Sequence, residues 1–141
     1  MLYQFLVYAR TGVCLYNRQF IPTLSPSDEA EREKLVFGAL FSIKELTKSL
    51  APSHTPSCPL EAITTANTRL HIYESASGFR FIAFTSIDMP PLVDHLQHVF
   101  QDIWVEQVTK SPLYSLTNMN VDSTKFDACL SVYLDKIPNA R

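Results

Sequence analysis

EAEREKLVFGALFSIKELTKSL, residues 29–50, reads as a helix with more apolar circumference than one core face requires. Wound at about 100° per residue, Leu35, Ala39, Ile43, Leu46 and Leu50 fall on one arc, widened by Val36 and Leu40. That arc is the expected core face, because a helix packed on a sheet buries one stripe. Phe37 and Phe41 sit one turn apart on the far side, flanked by Lys44 and Lys48. A second aromatic face calls for a partner surface, the alternative being a second core covered by another helix of the same chain.

The segments on either side supply the sheet. Residues 2–8 (LYQFLVY) are apolar on both faces, as expected of a central strand covered by helices. Arg10-Thr11-Gly12 is a turn, and Val13–Tyr16 returns as the second strand of a hairpin. Residues 17–28 form a connection, with Ser27 or Asp28 expected to cap the long helix and Glu29, Glu31 and Glu33 early in it, where the dipole favours anions. Pro52 stops the helix near Leu50, and the proline-rich 51–59 reads as an exposed loop.

Three strands follow at Ala62–Ala66, Leu70–Glu74 and Phe79–Thr85, the last two joined by a turn in which Gly78 suits a positive φ. A second helix is expected from Pro90-Pro91 to about Lys110, with Leu92, Leu96, Val99, Phe100, Ile103 and Trp104 inward. A third runs over 122–137 with Phe126, Cys129, Leu130, Tyr133 and Ile137 inward. The order β-β-α-β-β-β-α-α predicts an α+β domain spanning 1–141: one antiparallel sheet covered by helices, the long helix crossing between two groups of strands.

Composition excludes several function classes. A net charge of −2 offers no basic stripe for nucleic acid and no polybasic segment for an anionic membrane. Three glycines leave no phosphate-cradling loop, and no Walker or Rossmann pattern is present, so no nucleotide cofactor is expected. No run approaches the length of a membrane span, and MLYQFLVYAR lacks the basic start and small-residue cleavage site of a signal peptide. Cys14, Cys58 and Cys129 are an odd number without a close pair, which fits free thiols in the cytosol.

Chemistry-bearing residues read blandly. His95 and His98, with Asp102 and Glu106 a turn on, lack the spacing and companions of a helical metal site and read as a solvated face. His71 reads as a hydrogen-bonded sheet histidine, and Trp104 as core. Cys14 and Cys129 read as small buried hydrophobes, and Cys58 as exposed without catalytic neighbours. No catalytic residue and no metal ligand is expected.

Four stretches in order carry a resemblance: YARTGVCL (8–15), EKLVFGALFSIKELTKSLAP (33–52), TTANTRLHIYESASGFRFIAFTS (64–86) and DHLQHVFQDIWVEQVTKSPL (94–113). Together they resemble the small longin-type core subunits of the TRAPP vesicle-tethering complex. The resemblance implies the longin (profilin-like, SNARE-like) fold, a five-stranded antiparallel sheet between one long helix and two others. It implies a non-catalytic subunit, with other TRAPP subunits as partners, in an assembly that promotes nucleotide exchange on a Rab-family GTPase in ER-to-Golgi transport. The location implied is cytoplasmic, peripheral at Golgi and ER–Golgi membranes. Carried onto this sequence, the partner interface is Phe37, Phe41, Lys44, Glu45 and Lys48.

The loops at 17–28 and 51–59 and the end at 137–141 depart from the family pattern, which leaves partner contacts through them unassigned. The alternative reading is the small chain of a clathrin-adaptor coat, of the same fold but without an exchange role. A longin-bearing SNARE is disfavoured because no coiled-coil or anchor segment follows the domain.

Overall fold

The structure is a computed structural model and describes residues 1–21, 26–51, 60–109 and 124–137. Five strands, β1 (Leu2–Tyr8), β2 (Cys14–Gln19), β3 (Ala62–Thr64), β4 (Thr68–Glu74) and β5 (Arg80–Ser86), form one antiparallel sheet in the order β2-β1-β5-β4-β3. The apolar two-faced strands β1 and β5 lie inside it, as their sequences predict. Helix α1 (Pro26–Leu50) leads from the β2 edge to the β3 edge and covers one face. The other face carries α2 (Val93–His98), a π-helical stretch (Val99–Thr109) and α3 (Thr124–Leu134). This is the α+β, longin-type arrangement. The expected proline-rich loop and Cys58 lie outside the described residues.

Strand alternation divides the core in two. Leu6, Tyr8, Ile72 and Ile82 point to α1 and pack with Leu40, Val36 and Phe37. Phe5, Val7, Phe81 and Ala83 point the other way, onto Leu96, Val99, Trp104, Phe126 and Leu130. A register shift beside Val7 and Tyr8 pairs them with Tyr16 and Cys14. Cys14 consequently packs in the α1 layer while Tyr16 packs in the opposite one.

Edge strand β2 is tied to both helical layers. Arg18 Nη1 donates to Asp127 Oδ1 at 3.0 Å and to Ser131 Oγ at 2.6 Å, and the Tyr16 hydroxyl donates to Asp127. On the opposite face Asn17 Nδ2 donates to Glu29 Oε1 (2.9 Å) and Glu33 Oε1 (2.6 Å), while Gln4 Nε2 donates to Asn17 Oδ1 (2.8 Å).

Helix α1 corrects the expected core arc. Leu35, Leu46 and Leu50 are 65%, 57% and 74% exposed, and Ala39 is exposed with them. The sheet covers Val36 and Leu40, the residues expected to widen the arc, together with Phe37, while of the arc's five central residues only half-buried Ile43 lies near them in helical phase. The reason is polar anchoring that an apolar count does not register. The Tyr8 hydroxyl donates to the backbone oxygen of Glu33 at 2.7 Å, and Lys44 Nζ to Glu74 Oε2 at 2.6 Å, which turns residues 33, 36, 37, 40 and 44 toward the sheet. The helix also begins at Pro26, so Ser27 and Asp28 lie inside its first turn rather than ahead of it.

The second helix is likewise not uniform. From Val99 its bonding widens from the α to the π pattern, an uncommon winding at this length. Its inward set is the expected one, with Leu92, Leu96, Val99, Ile103 and Trp104 buried and Phe100 packed against them.

His71 is fully buried in β4. Leu92 N donates to its Nδ1 at 3.3 Å, so Nε2 carries the hydrogen and donates to Thr85 Oγ1 at 2.9 Å. Arg69 from the same strand donates to Met89 O at 2.8 Å, and the two residues fasten the β5–α2 connection to the sheet. Burial, aided by the Arg69 charge, lowers the imidazole pKa to about 4. A histidine held neutral contributes stability that is full above its unfolded pKa of about 6.5 and fades as pH falls toward 4. The wild-type protein is therefore expected to lose on the order of 2–3 kcal/mol across that window. Urea melts of wild type against His71→Gln at pH 7.5 and 5 check it: the gap between them should narrow at the lower pH.

Candidate functional site

The hairpin tips build one end of the site. Gly12 (φ +93°) closes the β1–β2 turn and Gly78 (φ +94°) the β4–β5 turn, both in the left-handed region that disfavours a side chain. A Cβ on Gly12 would lie 2.9 Å from Phe37 Cε1, and one on Gly78 would lie 2.9 Å from Arg10 Cβ. Close approach at both glycines thus brings the two tips together beside the middle of α1. Gly12→Ala combines left-handed strain with displacement of Phe37 and should cost about 1–3 kcal/mol, read as a lowered melting temperature.

Phe37 is the floor of this corner. Its ring lies 5.6 Å from that of Tyr8, and the Arg80 guanidinium sits 4.9 Å above it. Lys44 reaches across to Glu74, and Arg80 Nε lies 3.8 Å from the same Glu74 oxygen. Of the residues expected at a partner interface, Phe37 is therefore half-buried within the chain and Lys44 is engaged in an ion pair. Phe41 is 51% exposed, and Glu45 and Lys48 are exposed. Sequence reading missed Arg10 and Arg80, since no linear spacing brings residue 10 beside residue 78.

Around the helix from this corner runs the exposed stripe Leu35, Ala39, Leu46 and Leu50. Isolated exposed leucines are ordinary, but four apolar residues on one face of one helix form a patch of the kind that subunit interfaces cover.

The residues weighed for chemistry are placed as follows. Burial, then the Glu33 charge, pushes the Cys14 thiol up to about 12, and its Sγ donates to Tyr16 O at 3.3 Å. A thiol so held is a poor nucleophile. Cys129 is half-buried against the far core. His95 Nδ1 lies 2.9 Å from the Tyr133 hydroxyl, and His98 stacks on the Tyr133 ring at 5.1 Å and lies 2.8 Å from Asp102. The two histidines strap α2 to α3 instead of converging on a point. Among the described residues no group of three or more His, Cys, Asp or Glu side chains is placed to hold a metal.

A cleft of about 410 Å³ beside the first turns of α1 is lined by Tyr3, Gln4, Gln19, Ile21, Arg32, Thr68 and Phe84, without a carboxylate, imidazole or thiol in that lining. No helix among the described residues is long and apolar enough to cross a membrane.

Comparison with known proteins agrees with this architecture. The Sybindin-like family matches residues 2–137. Trafficking protein particle complex subunit 1 of Dictyostelium discoideum is 29% identical over 140 residues, covering 99% of this chain and 98% of that one. The Homo sapiens protein of the same name is 31% identical over 133 residues, covering 94% and 90%. Trafficking protein particle complex subunit BET5 of Saccharomyces cerevisiae is 24% identical over 119 residues, covering 79% and 74%. With the match extending across both helical layers and the whole sheet, the chain belongs to the Sybindin-like family.

Proposed function

We propose that this chain is a non-catalytic core subunit of a TRAPP-type tethering assembly, and that it works by presenting helix α1 to neighbouring proteins. The observation that carries the reading is the exposed face of α1, where Leu35, Leu46 and Leu50 stand outside both cores of their own chain. Relatives of nearly the same length are named as subunits of the trafficking protein particle complex, which supplies the kind of neighbour.

On this reading the leucine stripe seats a sister subunit, and the adjacent face with Phe41, Lys44, Glu45 and Lys48 contributes to a platform for a Rab-family GTPase. Phe37 supports that platform from beneath. Exchange by such a platform needs no acid–base residue: contacts that favour the nucleotide-free GTPase over the bound one are enough to speed release. The site of action is the cytoplasmic side of Golgi and ER–Golgi membranes, reached through the assembly.

Affinity capture of the tagged chain from its own cells, followed by a GDP-release assay on the captured assembly, tests the proposal. Other small longin-type subunits should co-purify, and the assembly should accelerate release while residues 1–141 alone do not. Recovery of large adaptin chains would assign the protein to a coat instead, and strong exchange by the isolated chain would overturn the platform account.

A further inference from the structure

Lys34, Phe41 and Lys48 recur at intervals of seven residues on α1, so they lie in one nearly straight row with about 10 Å between neighbours. All three are exposed. Arg10 and Arg80 from the two hairpin tips and Lys44 from α1 stand along one side of the row. Against these five cations stand Glu31 and Glu45, each three residues before a lysine of the row, and Glu74, which is already shared between Lys44 and Arg80. A chain of net charge −2 thus concentrates positive charge around a single exposed aromatic ring. We infer that this corner docks an acidic helix of a partner protein, with carboxylates against Lys34 and Lys48 and a small apolar socket for Phe41 between them.

Three features specify the occupant. The seven-residue repeat of the row is the spacing that a second helix, packed alongside at a shallow angle, matches with its own side chains. A central ring rimmed by charge has the composition of an interface anchor with a polar surround. The intervening Glu45, and the Lys44–Glu74–Arg80 group in which one carboxylate offsets one of two cations, dilute the corner too far for a polybasic lipid-binding cluster, which favours protein over an anionic bilayer.

The inference rests on the proposed role as an assembly subunit, but it fails separately from it. Carbodiimide joins amines to carboxylates in direct contact, and it would be applied to the assembly captured from cells. Lys34 and Lys48 are expected to link to Asp or Glu of another chain. Lys34→Glu with Lys48→Glu should lower recovery of that chain at least tenfold, and lysines introduced at the cross-linked carboxylates should restore it. Both substitutions lie on an exposed helix face, and an unchanged circular-dichroism melt verifies the fold. If longin-type subunits co-purify but neither lysine links to another chain, or the double substitution leaves recovery intact, the acidic-helix inference is overturned while the assembly reading stands. Flotation on vesicles of 30% phosphatidylserine that depends on Lys34 and Lys48, without such links, would overturn it in favour of a lipid surface.

Discussion

Leu35→Asp combined with Leu46→Asp is expected to lower the affinity of this chain for its neighbouring subunit by about a hundredfold or more, while the isolated chain stays folded. Both side chains lie on the outward face of α1 and touch neither core. Their removal therefore takes nothing from the packing that holds α1 to the sheet. At a covered interface an aspartate would be buried without a partner, and each apolar anchor contributes roughly 2 kcal/mol or more. On the free helix the same change costs only the modest propensity of Asp relative to Leu, a few tenths of a kcal/mol per site.

Size-exclusion chromatography of the reconstituted subunit pair reads the first effect, and thermal melting of the chain alone reads the second. A retained complex would remove the leucine stripe from the interface. A collapse of the isolated chain would show that these leucines are covered from within. Phe41→Ser added to the pair separates the two sides of the helix: it should weaken contacts on the Lys34–Lys48 row without further loss at the leucine stripe.

The orientation of α1 on the sheet was only partly legible, and the reason is physical. Leu35, Ala39, Leu46 and Leu50 form as good an apolar arc as Val36, Phe37 and Leu40 do, and periodicity registers both. What decides between them is polar and long-range. Tyr8 anchors the backbone at Glu33, Glu74 draws in Lys44, and Gly12 leaves room for the Phe37 ring. None of these is visible within residues 29–50. A helix with two apolar faces announces a partner but does not say which face the partner takes.

Elsewhere the chain was easier to read. The hairpins followed from their glycine turns, and the interior position of β1 and β5 from apolar residues on both faces, because a positive φ and a strand covered on both sides leave direct marks in sequence. The π-helical winding after His98 left none, since wider bonding changes no residue type and the inward set is shared with an α-helix. The hairpin-tip corner was invisible for a different reason: Arg10 and Gly78 meet only once the sheet order is fixed.

The opposite layer should respond to mutation in the opposite way. Trp104→Ala is expected to destabilise the isolated chain by about 3–5 kcal/mol, lowering its melting temperature by roughly 10–20 °C. Trp104 is fully buried, with its ring 5.5 Å from Phe79, 5.6 Å from Phe81 and 5.2 Å from Phe126. It thereby joins β5, the π-helical stretch and α3 in one aromatic cluster. Truncation to Ala removes the contacts to all three at once and leaves a cavity lined by rings that cannot all close in. Trp104→Phe keeps a ring at the centre and should cost about 1–2 kcal/mol, whereas Val132→Ala on the exposed face of α3 should fall within about 0.5 kcal/mol of wild type. Differential scanning calorimetry on the three variants orders them. Equal losses for Trp104→Ala and Val132→Ala would mean that this layer is not the stabilising core. Loss of assembly by Trp104→Ala should track loss of folded chain, so the aspartates on α1 and the alanine at Trp104 distinguish recognition from stability in a single subunit.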